Sequence, residues 1–135
     1  MAIRFDSKEV SPTSRATSGV KGINLADGDM VVSAIPVRNV NDKLAIFVNG
    51  GYCKKFGLDE LPVQKRAGKG LMCYKPTDST GLVSAAALVE DSDNVLIIGD
   101  KNSICIEASE IPVLGRASIG NQVIKNSKVL SVSKV

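Results

Sequence analysis

The feature that most constrains this chain is a repeat of about fifty residues. Three segments align: Glu9-Val10-Ser11-Pro12-Thr13-Ser14-Arg15-Ala16, Glu60-Leu61-Pro62-Val63-Gln64-Lys65-Arg66-Ala67 and Glu110-Ile111-Pro112-Val113-Leu114-Gly115-Arg116-Ala117. Their arginines stand 51 and 50 residues apart. In each segment a glutamate lies six residues before the arginine, an apolar residue follows the glutamate, and a proline sits three or four residues before the arginine. A glycine follows four residues after each arginine, at Gly19, Gly70 and Gly120. The three anchors therefore fall near residues 9–22, 60–72 and 110–122, and residues 1–135 read as a fragment of a larger repeat domain.

The material between the anchors repeats as well. Before each glutamate comes a short alternating run: Ala2 to Phe5, Tyr52 to Phe56 and Ser103 to Glu107. After each glycine comes another: Val20 to Leu25, Leu71 to Tyr74 and Gln122 to Lys125. Met30 to Val37, Leu82 to Val89 and Val129 to Val135 read as further strands, and Lys43 to Val48 with Val95 to Ile98 complete the two full units. Asn49-Gly50 predicts a type I′ hairpin turn, since both residues tolerate positive φ. Asp27-Gly28 and Asp100-Lys101-Asn102 mark two more reversals. Short strands between such turns, with no long stretch of helical period, predict an all-β fold. Leu82 to Glu90 is the nearest helical candidate, but it occupies the repeat position of the β-branched run Met30 to Val37. A four-strand unit of this length is the size of a propeller-type blade, and such a blade must stack on neighbours to bury both faces. The chain holds two full blades and parts of two others.

Composition removes several functions. Histidine is absent, so Ser-His-Asp and Cys-His catalysis and mixed zinc sites have no basis. Cys53, Cys73 and Cys105 lie 20 and 32 residues apart, too far for a zinc knuckle. Two of them sit in apolar-rich stretches, which predicts buried free thiols. No pair of carboxylates is flanked by the apolar residues that would raise a pKa, so no catalytic residue, metal ligand or cofactor site is assigned. Tyr52 and Tyr74 read as packing residues. No apolar run approaches membrane-spanning length and no signal-peptide order opens the chain, so a cytoplasmic protein without a membrane partner is expected. The net charge of +3 barely favours a nucleic-acid partner by itself, because clustering matters more than the total.

The sharpest cluster is Gln64-Lys65-Arg66-Ala67-Gly68-Lys69-Gly70, with three cations and two glycines in seven residues. Glycine lets the backbone approach a ligand closely, and lysine and arginine beside it suit a phosphate chain as point charge and fork. A single such loop reads first as a solvated glycine turn with incidental charges; repeated at matching positions with an arginine each time, it is equally a binding loop. Its spacing is not that of a P-loop.

This segment resembles the box near the start of the C-terminal domain of bacterial gyrase A subunits, Gln-Arg-Arg-Gly-Gly-Lys-Gly in its common form. Lys65 stands for an arginine and Ala67 for a glycine. Ser14-Arg15-Ala16-Thr17-Ser18-Gly19-Val20-Lys21 and Gly115-Arg116-Ala117-Ser118-Ile119-Gly120 resemble the Gly-Arg-x-x-x-Gly-Val-(Lys/Arg) turns of ordinary blades in gyrase and topoisomerase IV A subunits. Asn121-Gln122 departs from that pattern. The resemblance implies a β-pinwheel, whose propeller-like blades exchange strands with their neighbours. It implies sequence-independent binding and bending or wrapping of duplex DNA around a basic rim. It also implies a non-catalytic role within an ATP-dependent type II DNA topoisomerase, beside the B subunit and the remainder of the A subunit. The residues carried over as DNA-binding are Arg15 and Lys21, then Gln64, Lys65, Arg66, Gly68, Lys69 and Gly70, then Arg116. Lys54, Lys55 and Lys125 are weaker candidates, read as solvated strand residues. An alternative role for Arg15 and Arg116 is to brace their own turns against Glu9 or Glu110. The ending at Val135 resembles the C-terminus of such a protein, whereas Met1 falls inside a repeat. Incomplete terminal blades are expected to invite self-association. The rival reading is a structural or protein-interaction module of the same fold without DNA binding.

Overall fold

A computed structural model describes the whole chain, residues 1–135. Seven strands form: β1 (Lys43–Val48), β2 (Tyr52–Gly57), β3 (Val83–Val89), β4 (Asn94–Gly99), β5 (Ser103–Glu107), β6 (Asn121–Gln122) and β7 (Val129–Lys134). The only helical elements are three short 3-10 turns, Ser7–Glu9, Leu58–Glu60 and Ala108–Glu110, one at the start of each anchor. The fold is all-β, and the run 83–89 is strand.

Each hairpin recruits a strand from further along the chain. One sheet has the order β3-β1-β2-β6 and the other β5-β4-β7. The β1–β2 hairpin is thus flanked by a strand that follows the second anchor and one that ends the third, and β4 takes β7 from beyond the third. The register repeats too: β1 is interrupted by an irregularity between Phe47 and Val48 against β3, and β4 by one between Ile98 and Gly99 against β7. Such exchange ties each unit to the next through backbone hydrogen bonds as well as through apolar packing.

Apolar burial follows the period of two along the central strand. Ala45 and Phe47 enter one core with Cys53, Val89, Val95, Ile97, Ile111, Ile124 and Val129. Leu44, Ile46 and Val48 enter a second core with Phe56, Leu58, Leu61, Cys73, Tyr74 and Leu88. A strand buried on both faces reads as a continuous apolar run, which is why Leu44 to Val48 shows no polar alternation. Burying one such side chain contributes about 1.5–3 kcal/mol. Tyr52 packs at the edge of the second core.

Several expected strands differ. Met30 to Val37 forms none and lies largely exposed, with Met30 at 71%. In the repeat, this position pairs with the first strand of the hairpin one unit earlier, as β3 does with β1. For Met30 to Val37 that partner would precede Ala2, so no template lies within the 135 residues. Ala2 to Phe5 and Leu71 to Tyr74 contribute only the bridges Ala2–Leu71 and Arg4–Val63. These copy, one repeat earlier, the pairings Cys53–Asn121 and Lys55–Val113. Val20 to Leu25 is not strand, and the run expected over 122–125 is reduced to Asn121–Gln122.

The hairpin turn also differs from type I′. Neither Asn49 nor Gly50 has positive φ; Gly51 does, at 85°. Its N–H donates to Val48 O at 3.0 Å, giving a three-residue connection with its left-handed residue last. Of the thiols, Cys53 and Cys73 are buried, but Cys105 is exposed because it lies on the outer strand of the second sheet.

Candidate nucleic-acid interface

The three anchors fold into turns of two kinds. In the first and third, the arginine sits in a turn closed by a hydrogen bond spanning three residues. Thr17 N–H donates to Ser14 O and Ser118 N–H to Gly115 O, with both hydroxyls reinforcing the same carbonyls. In the second, Gly68 replaces the hydroxyl residue one place earlier than Lys69, and Ala67 takes a φ of 69°. Ala67 stands where the resembling box carries glycine, and the left-handed backbone explains that preference.

The second turn is stitched to the first anchor instead. Ala67 N–H donates to Gly22 O and Asn24 N–H to Gly68 O, both at 2.9 Å. The Arg66 guanidinium donates from Nη1 to Lys21 O and from Nε to Glu9 O, while its backbone N–H reaches Glu9 Oε1. Gln64 N–H donates to Arg4 O at 2.7 Å. The result is one continuous patch built from 21–24 and 64–70.

On that patch Lys21, Lys65 and Lys69 are exposed, as is Gly68. None of the three ammonium groups takes part in either ion pair of the structure, Lys55–Asp91 and Lys134–Asp93. Arg15 is also exposed. Arg66 and Arg116 are half-buried and committed to protein carbonyls. Arg116 donates from Nη1 to Met72 O at 3.1 Å, its backbone N–H faces Glu60 Oε1 at 3.4 Å, and its Nε is buried without a partner. The bracing therefore crosses repeats: Glu9 serves Arg66 and Glu60 serves Arg116. Glu110 accepts from Glu107 N–H within its own 3-10 turn, so neither Glu9 nor Glu110 braces its own arginine.

Two of the three repeated glycines answer to a neighbouring segment of backbone, whereas Gly19 has open space around it. Gly70 (φ 79°) would place a Cβ 2.3 Å from Ala2 O, and Gly120 (φ 83°) would place one 2.1 Å from Cys53 O. Their close approach is to the chain itself, and the glycine of the box that faces solvent is Gly68.

Lys54 and Lys55 are not solvated. Both are buried, on opposite faces of β2. Lys54 Nζ donates to Gly115 O, Arg116 O and Ser118 O at 2.6–2.9 Å and lies 5.2 Å from the centre of the Tyr74 ring. Burial holds its pKa below the usual lysine range. Tyr74 donates to Ile119 O at 2.7 Å, so a lysine and a tyrosine together hold the third turn from beneath. Lys55 Nζ donates to Asp91 Oδ1 and Ala108 O, and the first of these hydrogen bonds draws the Asp91 carboxyl below its usual range. Backbone hydrogen bonds do the same for Asp93 and Asp100. Burial pushes the Cys53 thiol up to about 12, leaving it protonated and unreactive. One signal for the two lysines was present in the sequence: consecutive strand residues face opposite ways, so at least one had to enter a packed face.

Sheets of four and three strands joined by exchanged strands, with an arginine–glycine turn at each junction, define a propeller-like β-pinwheel module. The chain belongs to the DNA gyrase C-terminal domain, beta-propeller family, whose model matches residues 1–38, 42–90 and 106–134. It is 37% identical over 127 residues to the DNA gyrase A subunit of Lawsonia intracellularis, covering 92% of this chain and 16% of that protein. It is 35% identical to the DNA gyrase A subunit of Escherichia coli K12, covering 93% of this chain and 14% of that one. The crystal structure of the C-terminal domain of DNA topoisomerase IV superposes with a TM-score of 0.91 at 29% identity, over 97% of this chain and 42% of that one. The DNA gyrase A C-terminal domain superposes at 0.88 with 31% identity, over 96% and 45%. The chain thus spans about one-sixth of the gyrase proteins it matches. No helix of the structure is long and apolar enough to cross a membrane.

Proposed function

We propose that this chain binds duplex DNA through its phosphate backbone, without sequence preference, and bends or wraps it. In this reading it is a non-catalytic part of the A subunit of a cytoplasmic, ATP-dependent type II topoisomerase, working with the rest of that polypeptide and with the B subunit. The observation that carries the reading is the stitched patch of the first two anchors, which exposes Lys21, Lys65 and Lys69 unpaired on a glycine-containing turn. Unpaired ammonium groups on a fixed backbone suit phosphate oxygens, and few neighbouring side chains can read base edges. Arg15 extends the cationic set. Gln64, Gly68 and Gly70 shape the turn beneath it.

Electrophoretic shift at low and at raised salt tests this. Lys21→Ala, Lys65→Ala and Lys69→Ala together should lower affinity and reduce the log–log salt slope by about 0.9 for each phosphate no longer neutralised, with the β circular-dichroism signature intact. If the triple variant bound as tightly as the parent at every salt concentration, the structural or protein-interaction reading of the module would replace this one.

A further inference from the structure

We propose that Arg66 and Arg116 are positioning residues: each clasps its own turn to the turn of the preceding repeat and so fixes the spacing at which successive basic turns meet a phosphate chain. This rests on the DNA-binding reading above and assigns these two arginines a role within it other than touching DNA.

The same link occurs twice. Arg66 gives its backbone N–H to Glu9 Oε1 and an Nη1 N–H to Lys21 O. Arg116 gives its backbone N–H toward Glu60 Oε1 and an Nη1 N–H to Met72 O. Glu9 and Glu60 occupy one repeat position, and Lys21 and Met72 another, each two residues past the positive-φ glycine. Two turns of different backbone conformation therefore preserve one inter-repeat connection, whatever else varies between them. Met72 shows that the acceptor position needs only a carbonyl. A guanidinium suits this task because its donors lie in a planar fork of fixed geometry. With Nη1 committed to a carbonyl in both, Arg66 Nε on Glu9 O and Arg116 Nε buried, neither guanidinium has its Nε side free to grip a phosphate as a fork. The flexible lysines beside Arg66 are left to meet it.

The test turns on a sign. Removing a carboxylate near a DNA-binding face should, by charge alone, tighten binding. If Glu9 acts through the clasp, Glu9→Ala should weaken binding about tenfold, the weight of one charge-assisted hydrogen bond. Arg66→Gln should weaken it similarly with the salt slope unchanged. Tighter or equal binding by Glu9→Ala would overturn the proposal. So would a slope reduced by about 0.9 in Arg66→Gln, as expected when one phosphate is no longer neutralised. Should the first pair of variants lose the β signature, Glu60→Ala and Arg116→Gln repeat the test on the second link. If the parent chain bound no duplex at all, the DNA-binding reading would fail, and amide exchange would judge the clasp alone. Glu9→Ala should then speed exchange at the Arg66 N–H and leave Arg116 as it was; equal exchange at Arg66 in parent and variant would refute the clasp.

Discussion

At the scale of single residues, charge in the sequence did not tell which cations are free. The repeat located the anchors, and the exposed Lys21, Lys65 and Lys69 sit where the pattern put candidate DNA-binding groups. Lys54 and Lys55 carry the same charge in a stretch that reads as an ordinary polar strand, yet both are enclosed. Their partners come from segments 36 to 64 residues away, and no local pattern displays such pairings. The arginine–glutamate link was half legible: the six-residue spacing was visible, but it suggested a brace within each repeat where the fold makes one between repeats. The consequence for stability is direct. Lys54→Met keeps the aliphatic stem and removes the ammonium, stranding three turn carbonyls. It should cost about 2–3 kcal/mol, the loss expected for hydrogen bonds to a charged group. A solvated lysine would cost under about 0.5 kcal/mol. Urea unfolding of the two proteins separates these outcomes, and a difference below about 0.5 kcal/mol would mean that the ammonium does not hold the third turn.

At the scale of elements, alternation and turn residues located β1 through β5 and β7 to within a residue or two, because each pairs with a strand inside the chain. Met30 to Val37 has the same apolar, β-branched character and stays unpaired. Alternation reports what a segment can pair with, whereas a strand also needs its template. The Asn49–Gly51 connection gives a second case. The dipeptide Asn-Gly marked the reversal in the right place, but the left-handed residue is Gly51, and Gly50 is glycine for a different reason. A Cβ on Gly50 would lie 2.7 Å from both Ser79 O and Thr80 O, and its N–H donates to Thr80 O at 2.8 Å. Gly50→Val should therefore destabilise by about 1–3 kcal/mol through overpacking against the 79–80 backbone. Gly51→Ala should be at least as harmful, since its Cβ would meet Ile124 O at 2.1 Å with φ at 85°. Thermal melts of both variants check this, and a Gly50→Val protein melting with the parent would show that the 79–80 segment yields freely.

At the scale of the whole molecule, β3, β6, β5 and β7 are all edge strands, and two unlike surfaces stand where the repeat would continue. One is the outer edge of β5, which has no partner strand; the corresponding edge of β2 is covered by β6. The other is the first anchor and the segment after it, where Val10, Val20, Met30, Val31 and Val32 are all about half exposed or more. Unpaired edge groups and exposed apolar side chains favour association. Because the first anchor stands in the repeat where the third anchor stands against β2, the fit expected is that of one chain's first anchor on another chain's β5. Arg15, which has no protein partner, would then face the Glu110 region, as Arg66 faces Glu9. Such a junction brings different surfaces together, so it does not close at two copies unless the rotation happens to form a ring. Light scattering across a concentration series should show mass rising beyond the dimer. Val31→Lys with Val32→Lys, placed on one of the two surfaces only, should shift the population toward monomer without altering the melting transition of the packed cores. A strictly monomeric parent at high concentration would mean that the free β5 edge and the 10–37 segment are shielded from each other in solution.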